Sequence, residues 1–425
     1  MEIIVFLNLN FNAIRMQYRI LPPKAEVKGK VKLPSSKSIS NRLLIIRALA
    51  GGKMQIHNLS ESEDTLVMIE AFRLKNHVIN IGHAGTAMRF LTAYLSICPG
   101  ERILTGSERM KNRPIGKLVE ALRQLGAEIE YQEKQAYPPL KIHGGILKGG
   151  SIEIDGSISS QYISALLMIA PMMPEGLILE LKNKIVSSSY INLTLGLMKK
   201  CGVQSTWLKN RIEIPHQKYL PVDITVETDW SAASYWYEVV ALAEKAEILV
   251  EGLDKESLQG DAAILPLFKS IGVSTEFVKE GAILRKIQSS EKSFEHNFID
   301  IPDMVQTFAV TLSLSGIPFK FTGSQSLKIK ETDRIAALQN ELGKLGVKPN
   351  YDESGIFSWA SKEKLKLNQI PVFPTYQDHR MAMSLAPICL LTGEVIIEDP
   401  EVVVKSYPSF WEELRKLGFT VAQRD

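Results

Sequence analysis

LMKKCGVQST, residues Leu197–Thr206, holds in one short stretch the end of an amphipathic helix, a glycine cap and the start of a strand. Apolar residues bury one helix face, and the lysines of the last turn meet the negative helix end. The glycine then takes the left-handed cap position. The same arrangement returns as ALRQLGAEIE (Ala121–Glu130), LFKSIGVSTE (Leu267–Glu276), ELGKLGVKPN (Glu341–Asn350) and ELRKLGFTVA (Glu413–Ala422). The glycines at 126, 202, 272, 346 and 418 are separated by 76, 70, 74 and 72 residues. A period this long exceeds solenoid repeats and points to a duplicated αβ module. A chain of 425 residues has room for six such modules. Six modules in two domains means three per domain. The first copy, around AFRLKNHVIN (Ala71–Asn80), lacks the glycine and is degenerate.

The bulk numbers agree with a two-domain globular protein. Hydrophobic residues make up 45% and charged residues 23%, and the net charge is only +3. That balance argues against a dedicated nucleic-acid or membrane-surface protein. Cys98, Cys201 and Cys389 stand far apart and form no C-x-x-C pair, which fits reduced thiols in the cytoplasm and offers no zinc site. The histidines contain no metal-binding pair, so no metal is implied. The apolar run in Met1–Arg15 is short, interrupted by asparagines and without a basic start. It is neither a signal peptide nor a membrane span. Met16 is the more natural beginning, and Met1–Arg15 is read as a disordered extension or an artefact. Pro221–Ser231 is the best internal hinge candidate.

Charge is concentrated locally. KETDR (Lys330–Arg334) sets two cations and two carboxylates where a helical pattern begins at Ile335, Leu338, Leu342 and Leu345. On a helix Lys330 and Arg334 share a face, with Glu331 one step round. LPSSKSISNR (Leu33–Arg42) follows the strand-like VKGKVKL and runs into a helical segment, so Lys37, Arg42 and free backbone N–H groups make an anion site, although a plain serine cap with stray basic residues reads the same way. HAGTAMRF (His83–Phe90) opens another helix, where Gly85 lets an anion approach and Thr86 can donate. MKNRPIG places Arg113 before Pro114, the favoured first residue of a helix. An arginine there opposes the helix dipole, which an anion site would use. Ser159, Ser160 and Gln161, and then Ser187 and Tyr190, offer uncharged donors at two further helix starts, although ordinary capping uses the same residues. YQDHRMAM (Tyr376–Met383) and VVVKSYPSFW (Val402–Trp411) add Asp378, His379, Arg380 and Lys405. No Walker A, G-x-G-x-x-G or G-x-S-x-G motif is present. These features describe an enzyme for small, multiply anionic substrates.

LPSSKSISNR, AGTAMR, RMKNRPIG, SSQ, KETDR, DHRMAM and VKSYP, in this order from Met16 to the C-terminus, resemble the EPSP synthase (3-phosphoshikimate 1-carboxyvinyltransferase) family. The resemblance implies an α/β (α+β) enolpyruvyl-transferase-like fold of two domains, each with three βαβαββ units. The chain would cross between them near residues 35 and 227. Residues 35–226 would form the N-terminal domain, and 16–34 with 227–425 the C-terminal domain. The implied reaction moves the enolpyruvyl group of phosphoenolpyruvate to the 5-hydroxyl of shikimate 3-phosphate and releases phosphate, with no metal or cofactor. Lys37, Ser38, Arg42, Ser159, Ser160, Gln161, Ser187, Tyr190, Asp303 and Lys330 would bind shikimate 3-phosphate. Lys37, Gly85, Arg113, Gln161, Arg334, Arg380 and Lys405 would hold phosphoenolpyruvate. Asp303 would take the hydroxyl proton and Glu331 would protonate the methylene carbon, with Lys37 or Lys405 as partners in proton traffic. The family also implies a cytoplasmic monomer, and Gly85 implies sensitivity to glyphosate, because tolerant members carry Ala there.

The chain departs from the family pattern at His83 and Ser326, where Asn is common, and at Phe90, where Pro is frequent. Two alternatives stay open. One is a catalytically silent anion-binding protein on this fold. The other is the sister family acting on a UDP-amino sugar, which usually has a reactive Cys near RMKNRP, where this chain has none.

Overall fold

The computed structural model describes residues 16–73, 76–360 and 369–424. The expectation for Met1–Arg15 falls outside them. The glycine-capped module is visible from Val78 onward. Strand Val78–Asn80, helix Gly85–Ser96, strand Gly100–Thr105, helix Gly116–Gln124 and strands Glu128–Tyr131 and Leu140–Gly144 follow in order. The first two strands pair in parallel, and the last strand returns antiparallel beside the second. The same order of pairing recurs from Gly150 to Ile214 and from Phe294 to Trp359. Gly126, Gly202, Gly272, Gly346 and Gly418 have φ of +101°, +86°, +106°, +83° and +88°, the left-handed conformation in which a Cβ is strained.

Two modules are completed by strands from the start of the chain. Val27–Lys32 pairs in parallel with Ala246–Glu251. Gln17–Leu21 lies between Val395–Glu398 and Thr420–Arg424, antiparallel to both. The degenerate first copy has only a two-stranded sheet, Ile56–His57 beside Ile224–Thr225. The described residues therefore form five four-stranded sheets and one two-stranded sheet.

Buried side chains gather in two clusters. One draws on Ile39 to Val226 (the amino lobe); the other draws on Ile20 to Leu33 and Trp230 to Val421 (the carboxy lobe). Helices Lys37–Leu49, Gly85–Ser96 and Ser160–Ile169 are largely buried in the first. Trp230–Leu242, Val305–Leu314 and His379–Leu385 are buried in the second. A helix apolar on most of its surface belongs in a core, so the polar side chains these helices bury, Arg42 and Arg89 among them, must find their partners inside it. The chain passes between the lobes twice, and the two passages bond to each other. Ser36 N donates to Glu227 O at 2.8 Å, Asp229 N donates to Pro34 O at 2.9 Å, and Ser35 bridges Thr228. Among the described residues no helix is long and apolar enough to cross a membrane.

Two local expectations are corrected. Lys330 and Glu331 do not lie on a helix, because Asp333 claims the N-cap: its Oδ1 accepts from Ala336 N at 3.0 Å, and the helix runs Arg334–Gly343. Pro114 does not begin one either. The amides of Ile115 and Gly116 both donate to Ala136 O, at 2.9 and 3.1 Å, and the helix starts at Gly116.

Candidate active site

Arg334 organises the carboxy-lobe half of the site. Its side chain is 2% exposed, so its guanidinium must satisfy its donors within the protein. Nε donates to Asp378 Oδ2 at 2.7 Å, Nη1 to Asp303 Oδ1 at 2.8 Å and Nη2 to Glu331 Oε2 at 2.9 Å. One rigid fork thus holds the two candidate proton-handling carboxylates on neighbouring nitrogens. The loss of helix around Lys330–Asp333 lets Glu331 turn back onto Arg334. Asp303 Oδ2 accepts from Arg380 Nη2 at 2.9 Å, and Lys330 Nζ lies 3.6 Å from Oδ1.

The cations decide the ionisation of this cluster. Burial pushes the Asp303 carboxyl up, but Arg380, Lys330 and Arg334 outweigh it, and the group stays well below the usual carboxylate range. Glu331 behaves alike: burial raises it, while Arg334, Arg113 and Lys330 hold it well below its ordinary value. Both carboxylates are therefore ionised before any ligand arrives. Lys405 is lowered by burial and then by Arg109, and its Nζ donates to Gln377 O at 3.2 Å.

In the amino lobe, Arg42 is met by neutral groups. Its Nε donates to Thr194 Oγ1 at 2.7 Å, Nη1 to Ser38 O at 2.8 Å and Nη2 to Ser164 Oγ at 3.2 Å, while its guanidinium lies 5.3 Å from the centre of the Phe90 ring. Ser38 thus enters through its carbonyl. Lys37, in the first turn of its helix, sits 3.5 Å from Asp64 Oδ2 and donates to Lys405 O at 3.4 Å. Ser159 caps the next core helix, Ser160 follows it, and Gln161 Nε2 donates to Thr86 Oγ1 at 3.2 Å. Gly85 lies where any side chain would collide: a Cβ would stand 2.6 Å from Arg113 Nη1 and 2.7 Å from Arg89 Nη1. His83 is turned to Ser107, Nδ1 to Oγ at 2.7 Å.

Contacts between the lobes bring these halves together. Tyr190 OH donates to Asp303 Oδ2 at 3.2 Å, Lys37 reaches the Lys405 carbonyl, and Arg109 Nη1 donates to Gln377 Oε1 at 2.9 Å. Ser187 has φ +55° and does not cap its helix through its side chain; its amide donates to Ile299 O at 2.9 Å. Three further residues emerge. Asp378 both binds Arg334 and caps its own helix, accepting from Arg380 N at 2.9 Å. The sequence shows only the capping half of that role. Arg89, 5% exposed, donates to Gly85 O at 2.8 Å; its place one helical turn after Gly85 is the signal that could have found it. His379 is 3% exposed, and among the described residues neither ring nitrogen has a hydrogen-bond partner, although Nδ1 lies 3.8 Å from Asp378 Oδ1. Burial, with Lys37 and Arg380, holds its pKa well below the usual histidine value, so the ring is neutral.

Among the described residues no cluster of His, Cys, Asp or Glu is placed to hold a metal ion. The site presents converging cations with two ionised carboxylates among them, an arrangement suited to moving protons while holding anions.

The sequence matches the family model described as EPSP synthase (3-phosphoshikimate 1-carboxyvinyltransferase) over residues 21–76 and 72–414. A 3-phosphoshikimate 1-carboxyvinyltransferase of Bacteroides fragilis is 49% identical over 407 residues, covering 96% of this chain and 99% of the relative. One from Aliivibrio fischeri is 35% identical over 436 residues, covering 95% of this chain and all of the relative. An EPSP synthase structure from Acinetobacter baumannii shares the fold with a TM-score of 0.76 at 23% identity, over 96% of this chain and 100% of that one. With the modular two-lobed architecture, these likenesses lead to one conclusion: the chain belongs to the EPSP synthase family.

Proposed function

We propose that this protein joins the enolpyruvyl group of phosphoenolpyruvate to the 5-hydroxyl of shikimate 3-phosphate, releasing inorganic phosphate. The observation that carries the reading is the Arg334 fork, which holds Asp303 and Glu331 on adjacent nitrogens. The reaction needs an acid and a base on either side of one carbon. Protonating the methylene carbon of phosphoenolpyruvate makes the neighbouring carbon electrophilic, and the 5-hydroxyl oxygen adds to it as Asp303 accepts the hydroxyl proton. The adduct carries a methyl group, whereas the product is again an enol ether. The added proton must therefore leave as the carbon–oxygen bond to phosphate breaks, and Glu331 takes it back.

The depressed pKa of Glu331 fits this cycle once the ligands' charge is counted. Phosphoenolpyruvate brings a carboxylate and a phosphate against Arg113, Arg334, Arg380 and Lys405, the last able to share in proton traffic with Lys37. Those added negative charges offset the cations that hold Glu331 ionised, and its proton affinity rises as the complex forms. Gln161 and Gly85 border the same region. Lys37, Ser38, Arg42, Ser159, Ser160, Gln161, Ser187, Tyr190 and Lys330 form the shikimate 3-phosphate side, with Asp303 at its hydroxyl. Two anions that repel each other are thus assembled by cations from both lobes.

The reading extends to a cytoplasmic monomer, to lobes divided as 35–226 and 16–34 with 227–425, and to inhibition by glyphosate in the space left by Gly85. The separate hydrophobic clusters support that division. The decisive experiment measures phosphate release from phosphoenolpyruvate, with and without shikimate 3-phosphate, in wild type and Glu331→Gln. Release that needs both substrates and collapses in the variant is expected. Release from phosphoenolpyruvate alone indicates a phosphatase-like activity, and no release with tight binding of shikimate 3-phosphate indicates a silent binding protein. Glyphosate inhibition seen only at millimolar concentrations sinks the inhibitor reading.

A further inference from the structure

The helix Ser188–Lys200 begins without a cap of its own. Ser187 makes no side-chain cap bond, and no acidic residue stands in the first turn. The cap comes from the other lobe. Asp300 Oδ1 accepts from Ser188 N at 3.0 Å and from Ser188 Oγ at 2.6 Å, and the Asp300 carbonyl accepts from Ser189 Oγ. Beside these, the Ser187 amide donates to Ile299 O. A carboxylate at a helix N-terminus is favoured by the free N–H groups and by the dipole. Here that interaction joins two bodies with separate cores.

We propose that Asp300 is a positioning residue, a clasp that closes the lobes over the substrates by capping helix Ser188–Lys200 from across the cleft. The substrate part of this inference rests on the function proposed above. The site residues of the two lobes already touch, Tyr190 on Asp303, Lys37 on the Lys405 carbonyl and Arg109 on Gln377, so substrates that fill the space between them need these contacts to part and reform. The clasp is solvent-accessible and made of a few hydrogen bonds, so it can break and reform. It also lies in register with the chemistry. Tyr190, just beyond the clasped serines, donates to Asp303, just beyond Asp300. Closing the clasp therefore sets a substrate-side tyrosine against the proposed base.

A second contact on the same seam has a different origin. Gly260 of the carboxy lobe leaves no room for a side chain, since its Cβ would stand 2.2 Å from Ser189 Cβ. Adding one methyl group there should wedge the seam open without touching Asp300.

The test compares Asp300→Ala, Asp300→Asn and Gly260→Ala with wild type by initial rates and by small-angle X-ray scattering. When the closed state is less populated, apparent affinity falls in proportion, while saturated enzyme still turns over. Asp300→Ala is expected to raise KM for shikimate 3-phosphate about tenfold and to leave kcat within about twofold. Asp300→Asn keeps an acceptor for both Ser188 donors and should recover most of the loss, and Gly260→Ala should resemble Asp300→Ala. Ligand-free Asp300→Ala should have a larger radius of gyration than wild type, and the difference should vanish with saturating ligand. A wild-type KM, or a fall in kcat at unchanged KM, overturns the clasp; so does identical scattering without ligand. If wild type itself releases no phosphate, the assigned reaction fails, and the scattering comparison still decides the clasp.

Discussion

The two lobes treat their buried arginines in opposite ways. Arg42 and Arg89, in the amino lobe, are bonded to hydroxyls and carbonyls, with no carboxylate partner among the described residues. Arg334 and Arg380, in the carboxy lobe, are tied to Asp303, Glu331 and Asp378. Burial pushes Arg42 and Arg89 down to about 10, whereas Arg334 is raised despite burial by Asp378, Glu331 and Asp303. On the proposed function, uncompensated charge on one side is field kept for a ligand, and compensated charge on the other holds the groups proposed to move protons. The amino lobe then contributes binding alone, while the carboxy lobe adds the proton chemistry to its share of the anion contacts.

The contrast predicts different kinetic failures. Glu331→Gln keeps the bond to Arg334 and removes the proton. It should lower kcat by about 10²–10⁴-fold with KM for both substrates within a few-fold, measured by phosphate release. A comparable rise in KM would break the division of labour. Arg42→Lys retains charge but not the fork, so KM for shikimate 3-phosphate should rise about 10- to 100-fold while kcat moves much less. A kcat loss as large as that of Glu331→Gln would put chemistry in both lobes. Gly85→Ala sharpens the picture inside the amino lobe. Its methyl would crowd Arg113 and Arg89, so KM for phosphoenolpyruvate should rise about tenfold, with a larger loss of glyphosate inhibition. Unchanged inhibition would show that the inhibitor does not use this space.

The smallest effect concerns a carboxyl that serves neither purpose. Glu238, fully buried in the carboxy lobe, has no hydrogen-bond partner for either oxygen among the described residues, and burial raises its pKa well above the ordinary value. The folded protein keeps this proton while the unfolded chain loses it above about pH 4.3. Its stability contribution is therefore full below that pH and falls as pH rises toward the folded pKa. Glu238→Met should raise the Tm of the carboxy lobe by about 2–4 °C near pH 7.5, with less gain at pH 5, by calorimetry. An equal gain at both values would mean the carboxyl is ionised in the fold.

The sequence made the module legible because a helix cap is a local event. Gly126, Gly202, Gly272, Gly346 and Gly418 announce themselves within a few residues, and all five take the expected positive φ. Several of the proposed anion-binding segments could be read for the same reason, since Lys37, Gly85 and Ser160 stand at helix starts. What escaped was set by contacts distant along the chain. Asp378 looks like a cap until Arg334, 44 residues away, is seen to use the same carboxylate. Asp333 displaced Lys330 and Glu331 from the helix because a short aspartate is the better N-cap. The unpaired state of Glu238 follows from three-dimensional packing, and no local pattern encodes it.

Strand Gln17–Leu21 has a consequence for how the molecule is made. Gln17 pairs with Glu398 on one side and Arg424 on the other, so this strand must wait for partners made much later in the chain. The amino lobe, with its core drawn from Ile39 to Val226, can consolidate on the ribosome while that strand is still unpartnered. The carboxy lobe closes only when Thr420–Arg424 has been made and can pair. Loss of strand Thr420–Arg424 would therefore leave Gln17–Leu21 as an open edge of its sheet, so a defect far along the sequence exposes a strand made early.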